Sequence, residues 1–441
     1  MHPSALVVAD DLTGATDTGH EFAARGLRTL VSTFDASTTD AGSQTDVRVV
    51  DTDSRYADPT DAAVRVERVI SDGDAGFVYK KVDSTLRGNL VAEVDAAVNA
   101  TGADVALVAP ASPRNGRTTV EGYHLVDGVP VSETDAGNDP DKPVETSHLP
   151  TRFAPSSFPV VRLPVNRVAA GAAAVAADLE ATAAEGRTVV VADASNERHL
   201  DAVASGGARA DCSVVYVGSA GLARYVETPP PAADGPPSVP GRERSVLCVV
   251  GSTNPATVEQ IRALPDASVV SLDVETAVES PATASDDAAA DCEARLKRSG
   301  LAALVSAPDP DAPNRAAEAG RRLGLDGAEV RARVGEALAG TVERLWRGGE
   351  SEDDGGGNAA DGSSPESLFV TGGAVAADVF DALDARGVLL TGESVEEGIP
   401  LGRVAGGVAD GTPVVTKAGA FGSSGAIRKC AARLGGRDDF E

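Results

Sequence analysis

The chain has 441 residues, which is enough for two domains that each bury a hydrophobic core. Its 67 acidic and 39 basic residues give a formal net charge of −28, which excludes the electrostatic footprint of a nucleic-acid or anionic-membrane binder. No apolar run approaches the roughly 20 residues that cross a bilayer. The N-terminus lacks the basic start of a secretion signal, so we expect a cytoplasmic protein. Such an acidic, lysine-poor composition indicates a halophilic, high-salt habitat.

Short β-branched runs alternate with alanine-rich stretches along the chain, a pattern typical of parallel sheets covered by helices. The sequence therefore predicts an α/β fold with two domains, each with a mainly parallel sheet flanked by helices. Predicted strands in the first half lie at residues 5–9, 47–51, 76–80, 104–109, 188–192 and 213–217. Predicted helices lie at residues 16–25, 62–70, 89–100 and 168–184. In the second half, predicted strands lie at residues 246–250, 267–272, 302–306, 368–371 and 413–416.

Two segments of unusual composition mark the organisation of the domains. Residues 228–241 are rich in proline, which removes backbone donors and fixes φ, so we interpret them as a linker. The linker separates a domain at residues 1–227 from one at 242–441. Residues 348–366 are rich in glycine and acidic residues, and we expect a disordered surface insertion there.

The first candidate site follows the first predicted strand, in the segment VVADDLTGATDTG at residues 7–19. Asp10 and Asp11 stand at the carboxyl end of that strand, where open α/β sheets bind ligands. They could supply a general base for a hydroxylated ligand, or they could simply form the loop and cap the next helix. The sequence leaves both interpretations open.

Three further segments place polar groups after neighbouring predicted strands. In TDSR, residues 52–55, Arg55 could bind a carboxylate with its two-pronged guanidinium, or form a surface ion pair. The segment YKKVDSTLRGN, residues 79–89, brings together charges and donors suited to an anionic, hydroxylated ligand: Lys81, Asp83, Ser84, Arg87 and Asn89. The loop at residues 109–135 contains Asn115 and Arg117, which reach the same site only if the loop folds over the strand ends. It also contains an Asp-Gly hairpin signal at residues 127 and 128.

The second half has glycine-rich turns after three predicted strands, at residues 249–257, 371–373 and 414–423. Such turns direct backbone N–H groups toward an anion, and three in one sheet indicate a nucleotide site. No GxxxxGK[ST] phosphate loop and no strand-linked GxGxxG occurs. The scattered cysteines and histidines form no metal-ligand pattern, so metal ligands stay unassigned.

In combination these motifs resemble the four-carbon acid sugar kinase family. The likeness rests on the segments ADDLTGATDTG (9–19), KKVDSTLRGN (80–89), NGRTTVEGYH (115–124), GSAGLA (218–223), GSTNP (251–255), EGIPLGR (397–403) and TKAGAFG (416–422). The resemblance implies a first domain that binds the acid sugar, a second that binds the nucleotide, and an active site between them. Family members phosphorylate threonate, erythronate or 3-oxo-tetronates with ATP and Mg²⁺.

The resemblance also implies roles for individual residues. Those expected at the sugar acid are Asp10, Asp11, Asp17, Arg55, Lys81, Asp83, Ser84 and Arg87, and the matching loop adds Asn115 and Arg117. Those expected at ATP are Ser252, Gly372, Gly373, Lys417, Gly419 and Gly422. The chain departs from the family at residues 372–375, where GGAV replaces GlyGly, an acidic residue and Thr. The missing carboxylate and hydroxyl would weaken contacts with the nucleotide.

The mechanism that we expect is in-line transfer of the γ-phosphoryl group of ATP to the terminal hydroxyl of a small sugar acid. Asp11, or else Asp10, would accept the hydroxyl proton, while Arg55, Lys81 and Arg87 would bind the substrate carboxylate. The opening segment does not fit an aspartyl-phosphate phosphatase, because that chemistry requires a second aspartate two positions on, where Asp10 and Asp11 have Leu12 and Thr13. A non-catalytic sugar-acid sensor stays the alternative. A homodimer is compatible with the resemblance, but no interface is visible in the sequence.

Overall fold

The structure is a computed structural model that describes residues 4–33, 45–73, 75–139, 142–231, 234–309, 311–348, 364–417, 419 and 421–438. The chain divides into two compact units, Met1–Pro236 and Pro237–Glu441. Each unit has its own hydrophobic core. None of the helices in the described ranges is long and apolar enough to cross a bilayer.

The first unit is built around a parallel sheet. Its strands are β1 (Ala5–Ala9), β2 (Thr29–Thr33), β3 (Val47–Asp51), β4 (Phe77–Lys81), β5 (Val105–Ala109), β6 (Arg117–Val120), β7 (Tyr123–Val126), β8 (Val129–Pro130), β9 (Val160–Leu163), β10 (Thr188–Ala192) and β11 (Val214–Gly218). Its helices are α1 (Leu12–Ala23), α2 (Pro59–Gly73), α3 (Leu90–Thr101), α4 (Leu149–Arg152), α5 (Val165–Ala169), α6 (Ala172–Ala183), α7 (Glu197–Arg209) and α8 (Ala220–Ala223).

Eight of the described strands form the main sheet of this unit, in the order β2-β3-β1-β4-β11-β5-β10-β9, and all neighbouring pairs are parallel. The strands are short apolar runs because helices cover both faces. On one face, Leu6 and Val8 of β1 pack in a core with Val66 of α2 and Val94 of α3. The order places the carboxyl ends of β3, β1 and β4 side by side.

A small antiparallel sheet, β6-β7-β8, follows β5. A two-residue turn joins β7 to β8, with Asp127 and Gly128 at φ 50° and 83°. Positive φ at both positions is the geometry of a tight hairpin turn, which confirms the hairpin that the Asp-Gly pair predicts.

The second unit has a mixed sheet in the order β13-β14-β12-β15-β18-β17-β16. Its strands are β12 (Val246–Val250), β13 (Val269–Ser271), β14 (Leu301–Val305), β15 (Ser367–Thr371), β16 (Gly387–Glu396), β17 (Ile399–Ala405) and β18 (Pro413–Lys417). The first five in the spatial order are parallel, and β17 and β16 follow as antiparallel strands. Its helices are α9 (Pro255–Ile261), α10 (Val274–Glu279), α11 (Pro281–Ser299), α12 (Ala312–Leu323), α13 (Gly327–Arg347), α14 (Gly373–Ala382) and α15 (Ala426–Gly435).

The α/β prediction is confirmed in both units, whereas several element boundaries and connections differ. Helix α1 begins at Leu12 rather than at Thr16, because Asp11 caps its N-terminus. The helix predicted at residues 168–184 is wrong as a single element: α5 and α6 are separated at Gly171, which has φ 95°. The sequence also missed β2, β9, β16 and β17. Most of the predicted insertion, residues 349–363, lies outside the described residues.

A buried ion pair lies inside the first unit. Lys80 of β4 and Glu93 of α3 are 0% and 1% exposed, and Lys80 Nζ lies 2.8 Å from Glu93 Oε2. Lys80 Nζ also donates to the carbonyl oxygen of Lys81 at 2.7 Å, and Ser54 Oγ donates to Glu93 Oε1 at 2.6 Å. Of the adjacent lysines in the KKVDSTLRGN segment, Lys80 is therefore a core residue.

We expect Glu93→Leu to lower the free energy of unfolding by about 3–5 kcal/mol, because it leaves the ammonium of Lys80 buried without a counter-ion. The double variant Lys80→Met/Glu93→Leu should lose less, since neither charge then remains. Asp72→Ala, which removes an exposed partner of Arg68 on α2, is the control and should change stability by less than about 1 kcal/mol. Urea denaturation of the purified variants measures all three, and a double variant less stable than Glu93→Leu would contradict the argument.

Candidate active site

The polar residues predicted in the first half gather at the carboxyl edge of the main sheet. Asp10 and Asp11 directly follow β1, Arg55 lies four residues after β3, and Asp83 lies two residues after β4. Because β3, β1 and β4 are neighbours, the sheet brings together groups that are 73 positions apart in sequence, from Asp10 to Asp83. We call Asp10, Asp11, Arg55 and Asp83 the carboxylate cluster.

Arg55 is the centre of the carboxylate cluster. Its Nε donates to Asp10 Oδ2 at 2.7 Å, and its Nη1 and Nη2 donate to Asp11 Oδ2 and Oδ1 at 2.9 and 2.6 Å. Its Nη2 also lies 3.8 Å from Asp83 Oδ1. The two-pronged contact is the strongest geometry available to an arginine and a carboxylate. The sequence predicted this guanidinium as a clamp for a ligand carboxylate, and the structure shows it bound to the carboxylates of the chain itself.

Charges within the carboxylate cluster determine how its members ionise. Burial alone would raise the pKa of Asp10 and of Asp83, but the positive charges around them, Arg55 with Lys81 at Asp10 and Arg55 with Arg87 at Asp83, together outweigh burial and keep both pKa values below the ordinary ones. Burial alone would lower the pKa of Arg55. The carboxylates of Asp10, Asp11 and Asp83 together outweigh burial and raise this pKa well above its ordinary value. Asp10, Asp83 and Arg55 are therefore charged at neutral pH.

Lys81 adds an ammonium that the described residues leave available. It is 4% exposed, and its Nζ forms a long ion pair with Asp10 Oδ1 at 4.0 Å. Asp10 Oδ1 is buried and lacks a hydrogen-bond partner within the described residues. Gly14 makes room for this pair, since a Cβ at that position would lie 2.5 Å from Lys81 Nζ. A donor and an acceptor thus remain for a ligand beside α1.

Two more carboxyl groups close to the carboxylate cluster have raised pKa values. Burial raises the pKa of Asp17, on α1, to about 6, although the charge of Lys81 opposes it. Burial raises the pKa of Asp51, at the end of β3, to about 8. Asp51 is thus mostly uncharged at pH 7, and it was not among the residues that the sequence singled out. Only its position at a strand end, next to two other acids, could have indicated it.

The loop after β4 folds around the carboxylate of Asp83. Arg87 Nε donates to Asp83 Oδ2 at 2.6 Å, and Thr85 Oγ1 donates to the same oxygen at 2.5 Å. Ser84 is half-buried, and its carbonyl oxygen lies 2.9 Å from His124 Nε2. The structure therefore places Arg87 against the carboxylate cluster and Ser84 next to Asp83. It also brings His124 to this loop, a residue of the NGRTTVEGYH segment for which the sequence indicated no role.

Asn115 and Arg117 lie on the turn and strand that follow β5. Asn115 Nδ2 donates to Ser112 Oγ at 3.2 Å, and Arg117 donates to the carbonyl oxygen of Asn115. Arg117 Nε is buried and has no partner within the described residues. The charge of Arg117 also acts on His124, so Arg117 lies near the loop that carries Ser84.

In the second unit, the three glycine turns are tied together at neighbouring strand ends. Thr257 Oγ1 donates to the carbonyl oxygen of Gly419 at 2.8 Å, and it lies 3.2 Å from the hydroxyl oxygen of Ser252, which follows β12. The backbone nitrogen of Gly372, after β15, donates to the carbonyl oxygen of Lys417, the last residue of β18, at 3.3 Å. A Cβ at Gly419 would lie 2.3 Å from Ser252 Oγ, so only glycine permits this approach.

The start of α14 is open toward a ligand. Gly372 precedes the helix with φ 107°, a conformation that favours glycine, and a Cβ built on Gly373 would meet nothing within 4 Å. The first N–H groups of a helix attract anions. The predicted role of these two glycines in binding phosphate is compatible with this geometry.

Lys417 and Gly422 support the turn after β18. Lys417 is 3% exposed, and its Nζ donates to the carbonyl oxygens of Gly419 and Phe421 at 3.1 and 3.2 Å. Burial lowers its pKa to about 8. Gly422 has φ 86°, and its carbonyl oxygen accepts a hydrogen bond from Gln260 Nε2 at 3.3 Å. Both residues shape the backbone of this turn.

A cavity of about 600 Å³ adjoins Gly251, Gly372 and Gly373 and extends between α12, α13 and α14. Its walls are mainly aliphatic, and they include Ala317 and Val375. This volume and lining are typical of sites for small molecules with a flat apolar part. Val375 belongs to the GGAV departure: a Cβ at Gly251 would lie 2.4 Å from Val375 Cγ2, so the turn packs directly on this side chain.

Comparison with known proteins gives the same division of the chain. A family model described as "Sugar-binding N-terminal domain" matches residues 5–226, and one described as "Nucleotide-binding C-terminal domain" matches residues 247–427. A D-threonate kinase of Bordetella bronchiseptica is 36% identical, with 97% of each chain covered. The chain belongs to the four-carbon acid sugar kinase family.

Other members of the four-carbon acid sugar kinase family are similar over nearly their whole length. A D-threonate kinase of Salmonella typhimurium is 33% identical, with 96% of each chain covered. A D-erythronate kinase of Heliobacterium modesticaldum is 32% identical, with 97% of this chain and 96% of the relative covered. A crystal structure of a Salmonella typhimurium protein, 23% identical, superposes with a TM-score of 0.75 over 97% of this chain and 98% of that chain, which shows that the fold is shared.

We expect Arg55→Gln to lower the free energy of unfolding by about 3–5 kcal/mol at pH 7, because it leaves buried carboxylates unpaired. The wild-type pKa values of Asp10 and Asp83 lie below the unfolded values, so their contribution is complete above about pH 4 and is lost below it. Without Arg55 the buried acids prefer their protonated forms. The stability difference should therefore shrink as the pH falls from 7 to 4, and urea denaturation at several pH values checks this. A difference that grows toward low pH would contradict the role of Arg55.

Proposed function

We propose that this chain is an ATP-dependent kinase that phosphorylates the terminal hydroxyl of a four-carbon sugar acid of the threonate, erythronate or 3-oxo-tetronate type. The observation that carries the proposal is, in the first unit, the Lys81 ammonium 4.0 Å from Asp10 Oδ1, a buried oxygen with no hydrogen-bond partner in the described residues, beside the carboxylate cluster. A cation suits the carboxylate of a sugar acid, and a carboxylate oxygen suits its hydroxyl groups. Relatives with kinase names over nearly the full length support the same function and do not favour a non-catalytic sensor.

The domain boundaries that we propose are a sugar-acid domain at residues 1–227, a proline-rich linker at 228–241 and a nucleotide domain at 242–441. The matches of the two family models to residues 5–226 and 247–427 support this division. In the nucleotide domain, the nucleoside would occupy the aliphatic cavity, and the phosphates would meet the N–H groups of Gly372 and Gly373. Ser252, Lys417, Gly419 and Gly422 would shape the turns around them.

Within the sugar-acid domain we assign the substrate carboxylate to Lys81, whose Nζ lies 4.0 Å from Asp10 Oδ1, and to Arg117, whose Nε has no hydrogen-bond partner in the described residues. Arg55 and Arg87 would act by fixing Asp10, Asp11 and Asp83, to which they are bonded. Asp17, Ser84 and Asn115 complete the polar surroundings. Such a preorganised site lowers the barrier mainly by positioning and charge stabilisation.

We propose Mg²⁺ as the companion of ATP. No three His, Cys, Asp or Glu side chains converge on a metal site within the described residues. Mg²⁺ in kinases is usually held by one or two carboxylates together with water and the substrate phosphates. Such a metal, carried largely by ATP, would neutralise phosphate charge.

Two further proposals concern the habitat and the oligomeric state of the protein. The acidic, lysine-poor surface suits a cytoplasmic protein of a high-salt habitat that acts on small molecules. A homodimer is compatible with such a kinase, and size-exclusion chromatography with light scattering would measure it.

A coupled assay of ADP release with D-threonate, D-erythronate and 3-oxo-tetronates tests the function. Turnover with one acid that depends on ATP and Mg²⁺ is the expected result. Calorimetric binding of an acid without ADP release from any acid in the panel would instead identify a sensor.

We expect Asp10→Asn to lower kcat by about 10²–10⁴-fold, because it removes the unbonded oxygen that would accept the hydroxyl proton. Asp11→Asn should lower kcat less, since both oxygens of Asp11 are already bonded and asparagine also caps helices. The KM for ATP should be unchanged in both variants. Full activity of both would exclude an aspartate base at these positions.

We expect Ala317→Trp to raise the KM for ATP at least about tenfold by filling the cavity, while the KM for the sugar acid stays unchanged. Glu318→Trp, on the exposed side of the same helix, is the matched control. Initial rates at varied ATP measure both variants. Equal ATP KM values in the two variants would place the nucleoside elsewhere.

A further inference from the structure

His124 is fully buried in the first unit, at the point where the small antiparallel sheet contacts the loop after β4. It is 0% exposed and belongs to β7. Its Nε2 lies 2.9 Å from the carbonyl oxygen of Ser84, and its Nδ1 lies 2.9 Å from Thr119 Oγ1. Both ring nitrogens are therefore engaged.

These two contacts select one form of the imidazole. A carbonyl oxygen can only accept, so the proton must sit on His124 Nε2, and Nδ1 then accepts from the hydroxyl of Thr119. Thr119 is itself fixed, because its backbone exchanges hydrogen bonds of 2.8 and 2.9 Å with Ala194. Burial, reinforced by the charge of Arg117, lowers the pKa of His124 to about 4 against the opposing effects of Ser84 and Asp83. The ring is neutral throughout the physiological range.

The loop that His124 contacts needs external support. Leu86 has φ 65°, a left-handed conformation that is unfavourable for leucine. Arg152 Nη2 donates to the carbonyl oxygen of Leu86 at 2.9 Å, and His124 bonds the carbonyl oxygen of Ser84 two residues earlier. These two contacts anchor the main chain on either side of Thr85, whose hydroxyl donates to Asp83.

We infer that His124 is a positioning residue for phosphoryl transfer: held as one tautomer by the Ser84 carbonyl and kept in place by Thr119, it orients the Ser84 peptide so that Asp83 and Ser84 face the sugar acid. This inference rests on the proposed function. His124 acts through Ser84 and does not itself meet the substrate. The small antiparallel sheet that carries His124 therefore stabilises the conformation of the loop after β4.

Three substitutions separate positioning from simple packing. Gln places an amide N–H near the position of Nε2 and can restore the bond to Ser84, whereas Asn places it near Nδ1 and cannot. We expect His124→Asn and His124→Leu to lower kcat/KM for the sugar acid by about 10–100-fold, as misplacement of reacting groups does. His124→Gln should recover to within about threefold of wild type. The KM for ATP should stay constant, and His199→Asn, a half-buried histidine on α7, serves as the control.

Nuclear magnetic resonance of ¹⁵N-histidine-labelled enzyme reads the tautomer independently of activity. The difference between wild type and His124→Asn assigns the signals of His124. We expect Nε2 protonated and Nδ1 unprotonated, unchanged between pH 8 and pH 5. Thr119→Val, which removes the hydroxyl donor at constant shape, should leave the proton on Nε2, because the Ser84 carbonyl still requires a donor, but should loosen the ring and lower kcat/KM.

The outcomes are distinguishable. A ring that titrates near pH 6.5, or one protonated on Nδ1, overturns the inference whatever the activity. Wild-type kcat/KM in folded His124→Asn and His124→Leu variants, checked by circular dichroism, overturns the positioning role. Absence of ADP release from wild type with every acid would contradict the proposed function, while the tautomer measurement would still stand.

Discussion

The first unit depends on one constraint: three acidic side chains meet at the end of a parallel sheet, and a single guanidinium makes this arrangement possible. Asp10 and Asp11 emerge from β1 and Asp83 follows β4, so the strand order alone forces their charges together. Arg55 reaches them from the neighbouring β3 and bonds both Asp10 and Asp11. The negative charge is kept in place rather than lost by protonation, and Lys81 remains available beside it.

The second unit solves a different problem with backbone instead of charge. Its turns after β12, β15 and β18 must approach one another closely, and glycine permits this at Gly372 and Gly419, where a side chain would be strained or would collide. Partial charges of N–H groups then face open space at the start of α14. The first unit thus presents charged side chains held in place, which suit a sugar acid. The second unit presents backbone N–H groups held in place, which suit the phosphates of a nucleotide.

The sequence predicted the fold class well, because buried parallel strands are continuous apolar runs: the predicted ranges of β1, β3, β10 and β12 coincide with the observed ones. β16 has a more polar sequence than these strands and was missed. The motifs indicated which residues lie near the loop after β4, but not the hydrogen-bond and ion-pair partners of those residues. Whether Arg55 binds a ligand or Asp11 depends on side-chain directions across strands. The role of His124 was likewise invisible, since it arises from a contact with a residue 40 positions away.

The double engagement of Asp11 has a consequence for the order of folding. Its Oδ1 accepts from the backbone of Gly14, a contact that forms as soon as the first turn of α1 forms, and also from Arg55, 44 residues later in the chain. The cap of α1 is thus a local contact, whereas the charge of Asp11 is neutralised only after β3 has docked and brought Arg55 close. Long-range contacts form slowly because a loop must close first. A nascent chain would therefore carry a capped α1 whose acidic end stays exposed to water until β3 arrives.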